Sequence, residues 1–213
     1  MHLIIKSGSA KCLNILLKNS GYYQKWKRAQ AFFDKYFIGK TVTFSYGCSK
    51  KDISIMTICL RKNNFQHLLG IKYKFGAKVF WQDLKNNRII WDQLDFCFYK
   101  GQNNNQPQTF ESKMAIIDFL PQLMTPGCRV ASGGNYENLT VDALLRTGRP
   151  CLALGVKNPF ESGYFNTTLN IRPQVSHKGT NRNSIKFVYK ILVSSNSSDS
   201  VIFDLLSKKK ETA

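Results

Sequence analysis

The hydrophobic positions of this 213-residue chain recur at helical spacing first and alternate along strand-like runs later. Aromatic and apolar residues repeat every three or four positions between residues 22 and 37, which predicts an amphipathic helix with basic side chains on its other sides. Gly39 is predicted to end this helix. Residues 41–46 and 53–60 alternate or are rich in β-branched side chains around a turn-like stretch, so they predict a hairpin.

The remainder of the chain mixes shorter helical and strand-like segments. One helix is predicted over residues 77–84, and a second after Thr109, where apolar residues repeat at helical spacing and Pro121 is expected to kink it. Thr140 precedes an apolar stretch and predicts a capped helical turn through Leu145. The last predictions are three strands, at residues 151–156, 164–171 and 185–193, and a loop at the serine-rich residues 194–200.

Helices that precede strands, without strict β-α-β alternation, predict an α+β fold. We expect an N-terminal basic helical segment at residues 1–40, followed at residues 41–206 by a mainly antiparallel sheet packed with helices, and a basic tail at 207–213. A parallel α/β sheet is the alternative. The polar, asparagine-rich residues 101–108 predict a surface loop rather than a domain boundary.

Composition adds a large positive charge to this picture. Lysine and arginine number 31 against 13 acidic residues, a formal charge of +18, while 43% hydrophobic residues supply enough apolar material for a core. The apolar runs are far shorter than the ~20 residues that a membrane-spanning helix needs. The N-terminus also lacks the features of a signal peptide, so the sequence predicts a cytoplasmic protein without a membrane association.

Familiar metal and cofactor motifs are missing from the sequence. The six cysteines occur singly, without a C-x-x-C pair, and none of the three histidines lies close to a cysteine, so we predict reduced thiols and no metal site. No glycine-rich nucleotide motif or G-x-S-x-G elbow occurs, and no cofactor is predicted. Dispersed carboxylates leave one metal-dependent alternative, in which Asp92 converges with Asp95 or with Asp83. Gly133 and Gly134 suggest a plain turn or an anion-binding nest.

The charge itself points to a polyanionic partner. Each basic side chain that replaces a phosphate counterion favours binding, and interleaved aromatic residues suit unpaired bases, so RNA is the predicted partner. A merely solvated basic surface and an anionic membrane surface are the alternatives. Five basic residues are candidate nucleic-acid contacts, although arginine is usually a surface charge: Lys72, Lys74, Arg146, Arg149 and Arg172.

His67 is the histidine with the most informative surroundings. On a strand it would share a face with Phe65 and Leu69 and be a core residue. The alternative is a general acid or base, because imidazole titrates near neutral pH, as phosphodiester cleavage requires. His177 lies in a polar stretch that predicts a loop, and His2 lies at the N-terminal end.

Three segments resemble one nuclease superfamily. Residues 64–71, Asn-Phe-Gln-His-Leu-Leu-Gly-Ile, resemble the N-F-x-H-L-T-G-hydrophobic signature of a phage- and Firmicute-associated branch of the barnase, EndoU, colicin and RelE-like (BECR) nucleases. Residues 164–169, Tyr-Phe-Asn-Thr-Thr-Leu, are similar to its Y-Y-P-V-S-F strand, and residues 111–120 stand where the branch has a helix that opens with a basic residue. The order and spacing agree over roughly residues 50–193. Leu69, Asn166 and Thr168 depart from the usual threonine, proline and serine.

The resemblance implies roles for three residues. It implies that His67 acts as an acid or base, that Thr168 orients the scissile phosphate and that Lys113 stabilises its developing charge. These types suit metal-free RNA cleavage by the 2′-hydroxyl. The first hypothesis is therefore a metal-independent endoribonuclease, acting as a toxin or in phage conflict, with an antitoxin or inhibitor protein as a second partner. The second is a non-catalytic nucleic-acid-binding or inhibitory protein on the same scaffold, and the sequence leaves the oligomeric state open.

Overall fold

The computed structural model describes residues 21–96, 110–136, 139–172 and 185–207. Within these residues the α-helices are α1 (Tyr22–Tyr36), α2 (Phe65–Leu69), α3 (Ala77–Lys85) and α4 (Phe110–Met114), with 3-10 helices at Lys62–Asn64, Trp91–Gln93 and Ile117–Met124. The strands are β1 (Thr41–Ser49), β2 (Asp52–Cys59), β3 (Ile71–Tyr73), β4 (Leu94–Phe96), β5 (Arg129–Tyr136), β6 (Leu139–Arg146), β7 (Leu152–Lys157), β8 (Tyr164–Asn170), β9 (Lys186–Ser194) and β10 (Asp199–Asp204).

Eight of these strands form one antiparallel sheet. Its order is β2-β1-β9-β5-β6-β7-β8. Strand β10 also pairs with β9, along residues 190–194, whereas β5 pairs with β9 at residues 186 and 187. The residues that precede β8 return to the opposite end of the sheet, where the Cys59 amide donates to the Gly163 carbonyl at 2.7 Å. The sheet therefore curls until β2 and the start of β8 are neighbours. Strands β3 and β4 form a separate antiparallel pair.

The main core lies between the inner face of this sheet and the helices. Trp26 and Phe33 of α1 are fully buried and contact rings from several other elements, among them Phe65, Phe110 and Phe165. Because α1 contributes its central side chains to this core, it packs as part of the α+β domain rather than beside it. A smaller apolar cluster covers the other face of β5 to β8 and includes Leu144 and Leu169.

The basic residues of α1 also bind the ends of other helices. Lys25 Nζ donates to the Met114 carbonyl at the end of α4 at 2.7 Å. Lys27 Nζ donates to the Leu84 and Lys85 carbonyls at the end of α3. A cation at a helix C-terminus is favourable because the last carbonyls are unpaired and carry partial negative charge. Part of the positive charge therefore stabilises the fold.

The α+β class with a mainly antiparallel sheet is confirmed, and several local predictions are wrong. Residues 140–145 form strand β6, not a capped helical turn. Residues 199–204 form β10, whose first two residues lie in the predicted loop at 194–200. The segment containing His67 is helical, so the strand on which it would be a core residue does not form. Gly133 and Gly134 lie in β5 rather than in a turn or nest, where an added Cβ on Gly133 would come within 2.1 Å of the Val141 carbonyl oxygen.

Some predictions fall outside the described residues. These are the asparagine-rich stretch at 101–108, the cap at Thr109, the surroundings of His2 and His177, and most of the basic tail. Within the described part of the chain, no helix is long and apolar enough to cross a membrane.

Candidate active site

Helix α2 gives His67 its orientation. Phe65, Leu68 and Leu69 occupy one side of the helix and are buried, whereas His67 lies on the other side and is exposed. The helix ends at Gly70, which has the left-handed φ of 72° that glycine adopts without steric cost. A strand would have placed His67 with Phe65 and Leu69, so the helix is the reason that this histidine is not a core residue.

Lys113 of α4 reaches the C-terminal end of α2. Its side chain is almost completely buried, at 7% relative exposure, and its Nζ donates to the His67 carbonyl oxygen at 3.2 Å. The Gly70 amide donates to the same carbonyl at 3.0 Å. An added Cβ on Gly70 would come within 3.3 Å of the Lys113 Cδ, so the missing side chain leaves the room through which the lysine passes.

The His67 imidazole lies near strand β8, where the backbone carbonyl of Asn166 favours its protonated form. Asn166 is the extra residue of a β-bulge, since Phe165 pairs with Val156 and Thr167 with Gly155. When neutral, the imidazole carries a proton on one ring nitrogen and can accept one on the other.

The surroundings of the ring favour the neutral form of His67. Loss of water around the imidazole lowers the pKa of His67 below its usual value of 6.5, and the nearby Lys113 charge lowers it further. The Asn166 backbone carbonyl acts in the opposite direction and has the weakest of the three effects. The site thus combines an exposed imidazole of lowered pKa with a nearby ammonium group.

Thr168 also lies on β8, but its side chain is sealed from solvent. It pairs with Leu154, a main-core residue, which places its side chain on the helix side of the sheet. Asn166, two residues before it, contacts His67, and Asn170, two residues after it, donates to the Ser112 carbonyl beside Lys113. The Thr168 residue is 0% exposed, and its Oγ1 has no hydrogen-bond partner among the described residues. A buried hydroxyl without a partner is unusual.

The five candidate nucleic-acid contacts fall into two groups. Lys72, Lys74 and Arg149 are exposed. Arg146 is only 6% exposed and its Nε donates to the Thr147 carbonyl, so most of its side chain is enclosed within the protein. Arg172 donates to the Ala115 carbonyl at 3.2 Å and lies over the Phe119 ring, which ties it to the segment after α4.

The carboxylates of the metal-dependent alternative do not assemble. In the described part of the chain, no group of three or more histidine, cysteine, aspartate or glutamate side chains is arranged to hold a metal ion. Asp83 accepts a hydrogen bond from the Tyr73 hydroxyl, and Asp95 pairs across the strands with Lys72.

Two contributors to the site were given no role in the sequence analysis. Gly70 acts through its missing side chain, and the family signature does contain a glycine there. Asn166 acts through its backbone carbonyl at a bulge, for which no side-chain signal exists.

The fold is that of an α+β protein of BECR type, with its helices packed on the inner face of a curled antiparallel sheet. The chain belongs to the family described as phage-Barnase-EndoU-ColicinE5/D-RelE like nuclease4, whose model matches residues 26–212. This membership confirms the resemblance and indicates a nuclease. Neither a search of curated proteins nor a search of solved structures found a match.

Proposed function

We propose that the protein is a metal-independent endoribonuclease whose reaction takes place between His67 and Lys113. The observation that carries this proposal is the proximity of an exposed imidazole of lowered pKa to a buried ammonium group. His67 is part of α2, and Lys113 of α4 donates a hydrogen bond to the His67 carbonyl. A general base must be unprotonated at working pH, and a developing phosphorane needs a fixed positive charge nearby. The two residues supply these requirements within one turn of helix.

The proposed reaction uses the substrate's own hydroxyl as the nucleophile. The free nitrogen of His67 takes the proton of a ribose 2′-hydroxyl, and the 2′-oxygen forms a bond to the adjacent phosphorus. The bond from phosphorus to the 5′-oxygen then breaks. The 5′-oxygen takes a proton from solvent, and His67 later returns its own proton to solvent. The products are a 2′,3′-cyclic phosphate and a 5′-hydroxyl, while Lys113 stabilises the charge on the phosphate oxygens.

Further features bear on the substrate and on the biological role of the protein. Only RNA carries the 2′-hydroxyl that this reaction consumes. The charge of +18 suits a polyanion, and membership of a phage-associated nuclease family supports action as a toxin or in phage conflict, held in check by an antitoxin or inhibitor protein. A cytoplasmic location is part of the same proposal.

The burial of Thr168 favours a second candidate, a non-catalytic RNA-binding or inhibitory protein. A fully buried hydroxyl does not reach a phosphate in this conformation, and Leu69 replaces the threonine of the family signature. In this case RNA binding would persist without cleavage.

The experiment compares wild type, His67→Ala and His177→Ala on labelled tRNA, mRNA and single-stranded DNA, with and without EDTA. The endoribonuclease proposal expects RNA cleavage that survives EDTA, cyclic phosphate ends, and a loss of about 10²-fold or more in His67→Ala only. His177→Ala is the matched control. Cleavage of DNA that requires added magnesium would overturn the mechanism, and salt-sensitive binding without any cleavage would favour the second candidate.

A further inference from the structure

The loop between β7 and β8, residues 158–163, is held in place by bonds at both ends. The Thr57 amide of β2 donates to the Pro159 carbonyl at 3.1 Å, and the Gly163 amide donates to the Thr57 carbonyl at 2.9 Å. Asp142 accepts from the Asn158 amide at 2.9 Å and from Lys157 Nζ at 3.1 Å. Asn158 has a φ of 51°, a left-handed conformation that side chains rarely adopt and that the Asp142 contact maintains.

This fixed loop carries an exposed aromatic side chain. Phe160 is 78% exposed, the largest value among the exposed large hydrophobic residues of the described chain. A phenylalanine in this position leaves most of its apolar surface in water and contributes little to the core. Its loop is anchored on both sides, so the ring is presented at a defined place. Such a residue suits contact with another molecule.

A groove of about 360 Å³ lies beside this loop. Its lining residues are Cys59, Arg61, Asn64, Asn158, Ser162 and Tyr164. Phe160 does not itself line the groove, but in the sequence of the loop it lies between two lining residues, Asn158 and Ser162. The groove also borders the site, because Asn64 directly precedes α2 and Tyr164 lies two residues before Asn166, whose carbonyl is near the His67 ring.

The chemistry of the groove matches an unpaired nucleotide. Phenylalanine and tyrosine rings offer stacking surfaces for bases, and the side-chain amides of Asn64 and Asn158 can pair with base edges. Arg61 is exposed, and no carboxylate of the described residues forms an ion pair with it, so its guanidinium is available to a phosphate.

We propose that the groove and Phe160 bind one unpaired nucleotide of single-stranded RNA next to the bond that His67 attacks. Phe160 stacks on its base and Arg61 binds its phosphate. The proposal rests on RNA being the substrate of the His67 site. It makes the enzyme selective for single-stranded positions, because a base within a duplex is already stacked and cannot reach the ring.

The test measures binding separately from cleavage. A short, fluorescently labelled 2′-O-methyl oligoribonucleotide lacks the nucleophilic hydroxyl and cannot be cut by the proposed reaction. Its affinity is measured by anisotropy for wild type, Phe160→Ala, Arg61→Gln and Phe187→Ala. Phe187 is the matched control, because it is 46% exposed but lies on β9, outside the groove, with the Arg129 guanidinium over its ring. Thermal melts verify that all variants are folded.

The expected result is a loss of affinity of about 5- to 150-fold in Phe160→Ala, the range for one lost base stack, and no more than a twofold change in Phe187→Ala. Arg61→Gln should lower the slope of log affinity against log salt by about 0.7. A series of oligonucleotides is then tested, each with one abasic position. For one of these positions, loss of the base should weaken binding by wild type relative to the intact strand but should not weaken binding by Phe160→Ala.

The outcomes separate this proposal from the previous one. Wild-type affinity in Phe160→Ala overturns the nucleotide site even where RNA is cleaved, and would assign the exposed ring to a different partner, such as an inhibitor protein. Equal losses in Phe160→Ala and Phe187→Ala would also contradict it. Phe160-dependent binding by a protein that cuts no RNA would support the nucleotide site and reject the endoribonuclease.

Discussion

Substitution of Gly70 by alanine tests the link between the end of α2 and Lys113. The residue has φ of 72°, and a left-handed conformation costs a non-glycine residue roughly 1–2 kcal/mol. In a domain of this size that corresponds to a fall in melting temperature of about 2–8 °C. The new Cβ would also lie 3.3 Å from Lys113 Cδ, so the lysine must shift by a few tenths of an ångström. Since a 1 Å misplacement can cost 10²-fold in rate, we expect cleavage to fall by about 3- to 10-fold.

Gly21→Ala is the matched control. Gly21 has φ of 77°, also left-handed, and its added Cβ would meet no atom within 4 Å. Both variants should melt at lower temperature in calorimetry, whereas only Gly70→Ala should lose RNA cleavage at a temperature where both are fully folded. Equal activity in the two variants, or an unchanged rate in Gly70→Ala, would refute the argument that the space at Gly70 positions Lys113.

Three further predictions follow from the same site. Cleavage should rise with pH through a value below 6.5, where His67 loses its proton. Because the lysine charge lowers the pKa of His67, Lys113→Met should move this rise to higher pH. Profiles of kcat/KM against pH that show no such displacement would mean that the two groups are uncoupled. Thr168→Val removes a buried hydroxyl that has no partner among the described residues. The change should raise the free energy of unfolding by roughly 1–3 kcal/mol in urea denaturation, while a loss of stability would indicate a hydrogen bond to a residue outside that set. RNA affinity should fall steeply between low and physiological salt, and a flat dependence in a filter-binding titration would remove the role given to the charge.

Periodicity predicted the long elements and misjudged the short ones. Helix α1 and the β1–β2 hairpin were predictable because their apolar residues repeat over eight residues or more. Strand β6 was not, because Val141, Ala143, Leu144 and Leu145 are all buried and a short apolar run fits a helix equally well. The segment around His67 misled for a related reason. Five residues between a 3-10 turn and a left-handed glycine are too few to display a helical period.

The site was predictable in its residue types but not in its assembly. The family signature pointed to His67, Lys113 and Thr168 by position in the sequence. That Lys113 Nζ donates to the His67 carbonyl, and that a bulge carbonyl lies near the imidazole, depend on backbone geometry that no side chain records. The burial of Thr168 and the engagement of Arg146 with its own backbone depend on tertiary packing, which residue type alone does not determine.

The central claim is that His67 activates a ribose 2′-hydroxyl, and one substitution in the substrate tests it most directly. Once a cleaved bond has been mapped, the same RNA is synthesised with a single 2′-deoxyribose on the 5′ side of that bond and incubated with wild type in EDTA. The account predicts that cleavage at this bond disappears, that binding is retained, and that other sites are still cut in a His67-dependent manner. Continued cleavage at the modified bond would contradict it, because the nucleophile would then have to come from elsewhere.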